Sequence, residues 1–178
     1  MQIIAGTAKG RKLAAPPSGT RPMTGRAKES IFSILQWEMA NARVLDLFAG
    51  SGGLGLEALS RGAASATFVE KSPRAARILG DNIDRVGLGG TVVVNDVGSA
   101  LGSLEGPYDL VFVDPPYAMP DSEVSHVLDR LESVSATGAV VVLHRHASST
   151  MPQPEFLALR TERRYGDACV NVYERIDS

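Results

Sequence analysis

A chain of 178 residues, 44% hydrophobic and 21% charged, can bury one proper core and is too apolar for a disordered polymer. Its formal net charge of −2 gives no overall attraction for nucleic acid, and one cysteine, Cys169, excludes an internal disulfide framework or a cysteine-rich zinc site. No apolar run approaches the roughly 20 residues of a membrane span, and the start lacks the order of a signal peptide, so a cytoplasmic protein is expected.

The first elements are two short segments, Gln2 to Ala5 and Arg11 to Ala14, which flank Gly6-Thr7-Ala8-Lys9-Gly10 and predict a small N-terminal β-hairpin extension. Pro16-Pro17-Ser18-Gly19 and Arg21-Pro22 then interrupt regular structure. Lys9, Arg11, Lys12, Arg21, Arg26 and Lys28 all precede the first acidic residue, Glu29. Such an arm, placed over residues 1–25 ahead of a domain over 26–178, can neutralise phosphates; the alternative is a merely solvated hairpin and loop. After Thr24 as N-cap, Ala27, Ile31, Ile34, Leu35 and Met39 recur at helical spacing.

From Arg43 onward strand alternates with helix. Strands are predicted at Arg43 to Leu47, Ala66 to Glu70, Thr91 to Asn95, Tyr108 to Val113 and Ala139 to His144; helices at Gly53 to Arg61, Pro73 to Val86, Val97 to Leu104 and Asp121 to Leu131. Repeated β-α-β units imply an α/β, Rossmann-like fold, a parallel sheet covered on both faces with ligands at the carboxyl ends of its strands. Phe156 to Tyr165 and Ala168 to Arg175, separated by Gly166-Asp167, predict an antiparallel C-terminal hairpin along one edge.

Two motifs follow strands. Gly50-x-Gly52-x-x-Gly55 fits a turn that lets a ligand approach the backbone, and Glu70, near the end of the second strand, suits ribose hydroxyls. That pattern defines an adenosine-type pocket without choosing between NAD and S-adenosylmethionine (SAM). Three details favour SAM: Asp46 before the glycines can hold a cationic amino-acid end, Asp96 with Val97 can take an adenine, and little chain remains for a dehydrogenase's substrate domain.

The second motif is Asp114-Pro115-Pro116-Tyr117, directly after the apolar run ending at Val113. It sets hydrogen-bond acceptors beside a flat stacking surface, which suits a planar group carrying an exocyclic amine. If Asp114 and the Pro115 carbonyl accept the amine hydrogens, the nitrogen lone pair is freed from the ring and aimed at an electrophilic methyl, so catalysis is alignment and preorganised polarity. Tyr117 stacks on the base. No histidine base is required, and His126, His144 and His146 are too scattered for a metal site and read as structural or surface residues.

With these motifs in hand, the chain resembles the RsmD family, bacterial SAM-dependent 16S ribosomal RNA guanine-N2 methyltransferases. The resemblance runs through Ile3-Ile4-Ala5-Gly6, Gly10-Arg11-Lys12-Leu13, Arg21-Pro22, Lys28-Glu29, Leu45-Asp46-Leu47-Phe48-Ala49-Gly50-Ser51-Gly52, Gly55 to Ala63, Phe68-Val69-Glu70-Lys71, Asp114-Pro115-Pro116-Tyr117 and Tyr165-Gly166-Asp167. It implies a seven-stranded methyltransferase sheet, SAM as methyl donor, and a guanine of 16S rRNA presented in the 30S subunit or its assembly intermediate. It makes Phe48, Ala49 and Lys71 cofactor residues with those above, and the basic arm an RNA clamp on a monomer without metal. Lys28 stands where the family pattern leads one to expect arginine, and Gly25 where an acid is more usual.

Rival readings are an adenine-N6 methyltransferase, an NAD-dependent oxidoreductase resting on the glycine turn alone, and a noncatalytic RNA-binding assembly factor.

Overall fold

Seven strands, β1 (Arg43–Leu47), β2 (Ser65–Glu70), β3 (Thr91–Val94), β4 (Tyr108–Val113), β5 (Ser135–His146), β6 (Leu157–Tyr165) and β7 (Ala168–Arg175), form one sheet in the order β3-β2-β1-β4-β5-β7-β6. The computed structural model describes residues 1–15, 23 and 25–176. The first five strands pair in parallel; β7 inserts antiparallel between β5 and β6. The predicted hairpin is therefore present, and its second strand is the one that joins the sheet.

Helices α1 (Gly25–Ile34), α2 (Gly53–Ser60) and α3 (Pro73–Val86) cover one face; α4 (Val97–Leu101) and α5 (Asp121–Asp129) cover the other. The period of two along each strand makes the division. Val44 and Phe112 pack under Phe32, Leu56 and Leu79, whereas Leu45 and Val111 pack under Val97, Val124 and Leu128. Central strands buried on both faces read as continuous apolar runs, which is why β1 and β4 stand where the sequence places them. In α3, the Ser72 side chain accepts from the Ala75 amide, Pro73 occupies the first turn and Gly87 closes the helix in the left-handed region.

Departures from expectation are local. β5 begins at Ser135, not Ala139, because Gly138 (φ 74) allows an irregularity between the Tyr108–Ser135 and Leu110–Val140 pairs. α1 stops at Ile34 and the chain turns, although Leu35 and Met39 remain buried. α4 and α5 are shorter than predicted, α5 passing into a 3-10 turn over Arg130–Ser133. The N-terminal hairpin is short: one antiparallel bridge, Gln2 with Lys12, is flanked by the amides of Ile3, Gly10 and Leu13 donating to the carbonyls of Arg11, Ile3 and Met1. Four further amides turn to α2: those of Ile4 and Ala5 donate to Glu57, that of Thr7 to the Ser60 carbonyl and that of Ala8 to the Ser60 hydroxyl. Thr24, the expected N-cap, lies outside the described residues.

Candidate active site

At the carboxyl edge of the sheet β1 gives way to the glycine turn. Gly50 takes φ 56, and a Cβ there would meet nothing within 4 Å, so the backbone borders open space. Gly55 is a glycine for another reason: a Cβ would lie 2.3 Å from the Phe68 ring, so only glycine lets α2 settle on β2. Phe48 holds φ 60, a costly conformation for a bulky residue. Bonds from the next two residues fix it: the Ala49 amide donates to the Val69 carbonyl at 3.0 Å, and the Gly50 amide to Glu70 Oε2 at 2.9 Å.

Glu70 also accepts from the Ser72 amide through Oε1 at 2.8 Å, so one carboxylate fixes both the glycine turn and the entry to α3. Asp46 is fully buried and accepts from the Gly55 amide at 2.8 Å. Burial pushes its carboxyl up to about 8; the Gly55 bond opposes that and the charge of Asp114 adds to it. Asp46 and Asp114 thus sense each other across the tips of neighbouring strands. Asp96 caps α4 through the Ser99 amide and also borders a cavity of about 190 Å³.

Phe48, Val97 and Met119 line that cavity together with Gly98, His126 and Val127. It is smaller than the ~300–1,000 Å³ of whole-ligand pockets. Its apolar walls, rimmed by Asp96, Glu123 and Arg130, suit the flat heterocycle of an adenosine, and the open backbone at Gly50 leaves room for the rest of such a ligand. Ala49 is buried in the turn, and Lys71 is exposed just past Glu70.

A raised carboxyl makes a testable pH statement. The folded chain holds a proton on Asp46 that the unfolded chain, with a carboxyl near ~3.9, releases. That stabilisation is complete below the unfolded value and is lost as pH rises through about 8. The wild-type thermal midpoint should therefore fall between pH 5 and pH 9 by calorimetry, and that of Asp46→Asn, which mimics the protonated acid, should fall less. Parallel curves would contradict the assignment.

The Asp114-Pro115-Pro116-Tyr117 motif sits one strand over. Register pairs Val113 with Leu143, so the next residues, Asp114 and His144, stand side by side at the tips of β4 and β5. His144 Nδ1 lies 2.7 Å from Asp114 Oδ1, and His144 Nε2 lies 3.4 Å from the Tyr117 hydroxyl. The Tyr117 ring stands against the rings of His144 and His146, at 5.8 and 5.7 Å between centroids. Arg145, 2% exposed, donates to the carbonyls of Pro116 and Met119 and to Asp121 Oδ1. One guanidinium thereby shapes the loop that carries Tyr117 on one side and the cavity-lining Met119 on the other. The Pro115 carbonyl accepts no hydrogen bond among the described residues.

His144 and Arg145 are the functional candidates that sequence reasoning missed. His144 is buried against the proposed acceptor acid, not a surface or isolated structural residue. The signal that could have found them was His144-Arg145-His146, three polar residues ending a strongly apolar strand at the ligand edge of the sheet.

Of the basic residues, Lys9, Lys12 and Arg26 are exposed. Arg11 is exposed as well, yet its Nη1 donates to the Arg85 and Val86 carbonyls at the end of α3. Lys28 is a correction: it is 4% exposed and its Nζ lies 2.9 Å from Glu57, so it is a core ion-pair partner and does not face a phosphate. Arg21 lies outside the described residues. Asn82 bonds the Ala14 backbone on one side and the Ser51 carbonyl on the other, which brings the arm's end beside the glycine turn.

The family model described as "Conserved hypothetical protein 95" matches residues 1–174. The chain is 35% identical over 178 residues to Ribosomal RNA small subunit methyltransferase D of Escherichia coli (strain K12), covering 98% of this chain and 90% of that one. It is 32% identical over 182 residues to the protein of the same name from Haemophilus influenzae, covering 98% and 93%. Among solved structures, "Putative methyltransferase yhhF from Escherichia coli" superposes with a TM-score of 0.91 at 33% identity, covering 100% of this chain and 99% of that one.

Proposed function

Since the chain belongs to the RsmD family, whose relatives are ribosomal RNA small subunit methyltransferases, we propose that it methylates the exocyclic N2 amine of a guanine in 16S rRNA. It is a SAM-dependent methyltransferase of the Rossmann-like type, and its substrate is ribosomal RNA. The 30S subunit or an assembly intermediate presents the guanine to a monomer, in the cytoplasm.

The observation that carries the reading is the placement of Asp114. Its carboxylate, 31% exposed, stands at a strand tip beside the buried Asp46 of the glycine-turn side. When bound, SAM supplies a sulfonium-activated methyl group; Asp46, Glu70, Gly50, Asp96 and Val97 are the residues that hold it. Asp114 and the Pro115 carbonyl take the two amine hydrogens, and Tyr117 stacks on the base, an interaction of about 1–3 kcal/mol. Held this way, the amine lone pair turns out of conjugation toward the methyl. After transfer the nitrogen is strongly acidic and its spare proton leaves by way of the Asp114 carboxylate. The protein is not required to activate the methyl, so rate comes from alignment and fixed polarity. A base inside a helix has first to be flipped out.

Tritiated methyl transfer to small subunits lacking the modification, followed by nucleoside mass spectrometry, tests the reading. N2-methylguanosine supports it; N6-methyladenosine, or no incorporation with SAM bound, rejects it. RNA docking gives a separate expectation. Replacing Lys9, Lys12 and Arg26 by Gln should weaken RNA binding and lower the slope of log K against log[salt] by about 2–3, near 0.7–0.9 for each phosphate no longer neutralised. Arg11 is left in place because its loss would uncap α3. An unchanged slope would remove the arm from the RNA surface.

A further inference from the structure

The acceptor acid has a partner that the methyl-transfer reading does not use. His144 is 4% exposed, comes from the strand next to Asp114, and meets a carboxylate through one ring nitrogen and a phenol through the other. An ionised carboxylate only accepts. A phenol hydroxyl can donate. One neutral tautomer satisfies both neighbours: Nδ1–H donating to Asp114 Oδ1, and Nε2 accepting from the Tyr117 hydroxyl. Asp114 Oδ2 then remains for the substrate, since it has no hydrogen bond among the described residues.

Resting on the function proposed above, we propose that His144 is a positioning residue for the acceptor nucleobase: its imidazole, in the Nδ1–H tautomer, aligns the Asp114 carboxylate and the Tyr117 ring together. A carboxylate on a strand tip can rotate about its Cβ–Cγ bond, and a hydrogen bond to one oxygen removes that freedom and fixes where the other points. The phenol contact sets the plane on which the base stacks. Buried behind both groups, the imidazole touches neither the base nor the methyl, so it acts only through Asp114 and Tyr117. Its neighbour His146 pairs its Nδ1 with the Ser148 hydroxyl at 2.7 Å and meets Tyr117 through a T-shaped ring contact.

Two variants divide the contacts. His144→Asn places an amide where Nδ1–H stood and keeps the hold on Asp114 while losing Tyr117; His144→Phe keeps a ring and loses both. Expected for the Phe variant is a fall in kcat of about 10–100-fold, the scale of a misaligned reacting group, with the Kd for S-adenosylhomocysteine unchanged. The Asn variant should recover most of kcat but show a higher KM for the RNA. Nitrogen-15 NMR of the imidazole in the wild type should show the Nδ1–H tautomer at neutral pH, a readout independent of turnover.

The Nε2–H tautomer, a folded Phe variant with wild-type kcat, or a folded Asn variant no better than Phe would each overturn the proposal. A wild type that binds S-adenosylhomocysteine but methylates no rRNA would defeat the functional reading alone, and the NMR result would then decide for or against the alignment of Asp114.

Discussion

Asp114→Ala is expected to lower kcat by about 10²–10³-fold while leaving S-adenosylhomocysteine binding close to wild type, the scale seen when one preorganised polar group facing developing charge is removed. The side chain is 31% exposed and belongs to no apolar cluster, so its truncation opens no core cavity. What disappears is the proposed acceptor for the amine hydrogen and the partner of His144 Nδ1. Asp46, Glu70 and Gly50, which shape the cofactor side, keep their own bonds. Calorimetry with S-adenosylhomocysteine and single-turnover methyl transfer together separate the two half-sites. Turnover near the wild-type rate would remove Asp114 from the chemistry, and a parallel loss of cofactor affinity would mean that the two halves cannot be divided as drawn.

Glu57→Ala should cost about 3–5 kcal/mol of folding stability, the cost of leaving a buried partner charge uncompensated. Glu57 is fully buried within α2 and takes donors from three places: the amides of Ile4 and Ala5, Lys28 from α1 and Arg61 at the C-cap of its own helix. Burial pushes its carboxyl up, but the Ile4 amide, Lys28 and Arg61 outweigh that and leave it below the ordinary glutamate value. Burial also draws the Lys28 ammonium down, against the pull of Glu57. Since the Glu57 value is depressed by folding, its contribution is present above the unfolded value near ~4.3 and is lost as pH falls through the folded one. Urea unfolding at pH 7 measures the loss in the Ala variant. Lys28→Met in the same chain should return part of it, because the stranded ammonium is then gone. A loss under about 1 kcal/mol would place the pair among the weak surface ion pairs.

The same cluster shows where the sequence stops being readable. Apolar runs marked β1, β2 and β4, and Gly166-Asp167 marked the turn between β6 and β7, because period and turn chemistry are local properties. The glycine turn and Asp114-Pro115-Pro116-Tyr117 were legible for the same reason, since each is a short motif after a strand. Lys28 was not, because its acid lies on a helix that meets α1 only in three dimensions. Nor was the docking of the N-terminal hairpin on α2, since the amides of Ile4, Ala5 and Ala8 find Glu57 and Ser60 more than fifty residues away. His144 and Arg145 depend on strand order: only the adjacency of β4 and β5 sets them against the acceptor loop.

Those long-range anchors bear on the proposed role of the arm in meeting RNA. Residues 3–14 are already fastened to α2 and α3 through Glu57, Ser60 and Asn82, and Ile3, Ala8 and Leu13 are buried in the core. Ordering a backbone residue costs about 1–2 kcal/mol. For this segment the chain meets that cost when it folds, so Lys9 and Lys12 are held on a rigid template, and capturing a strand there requires no coil to freeze.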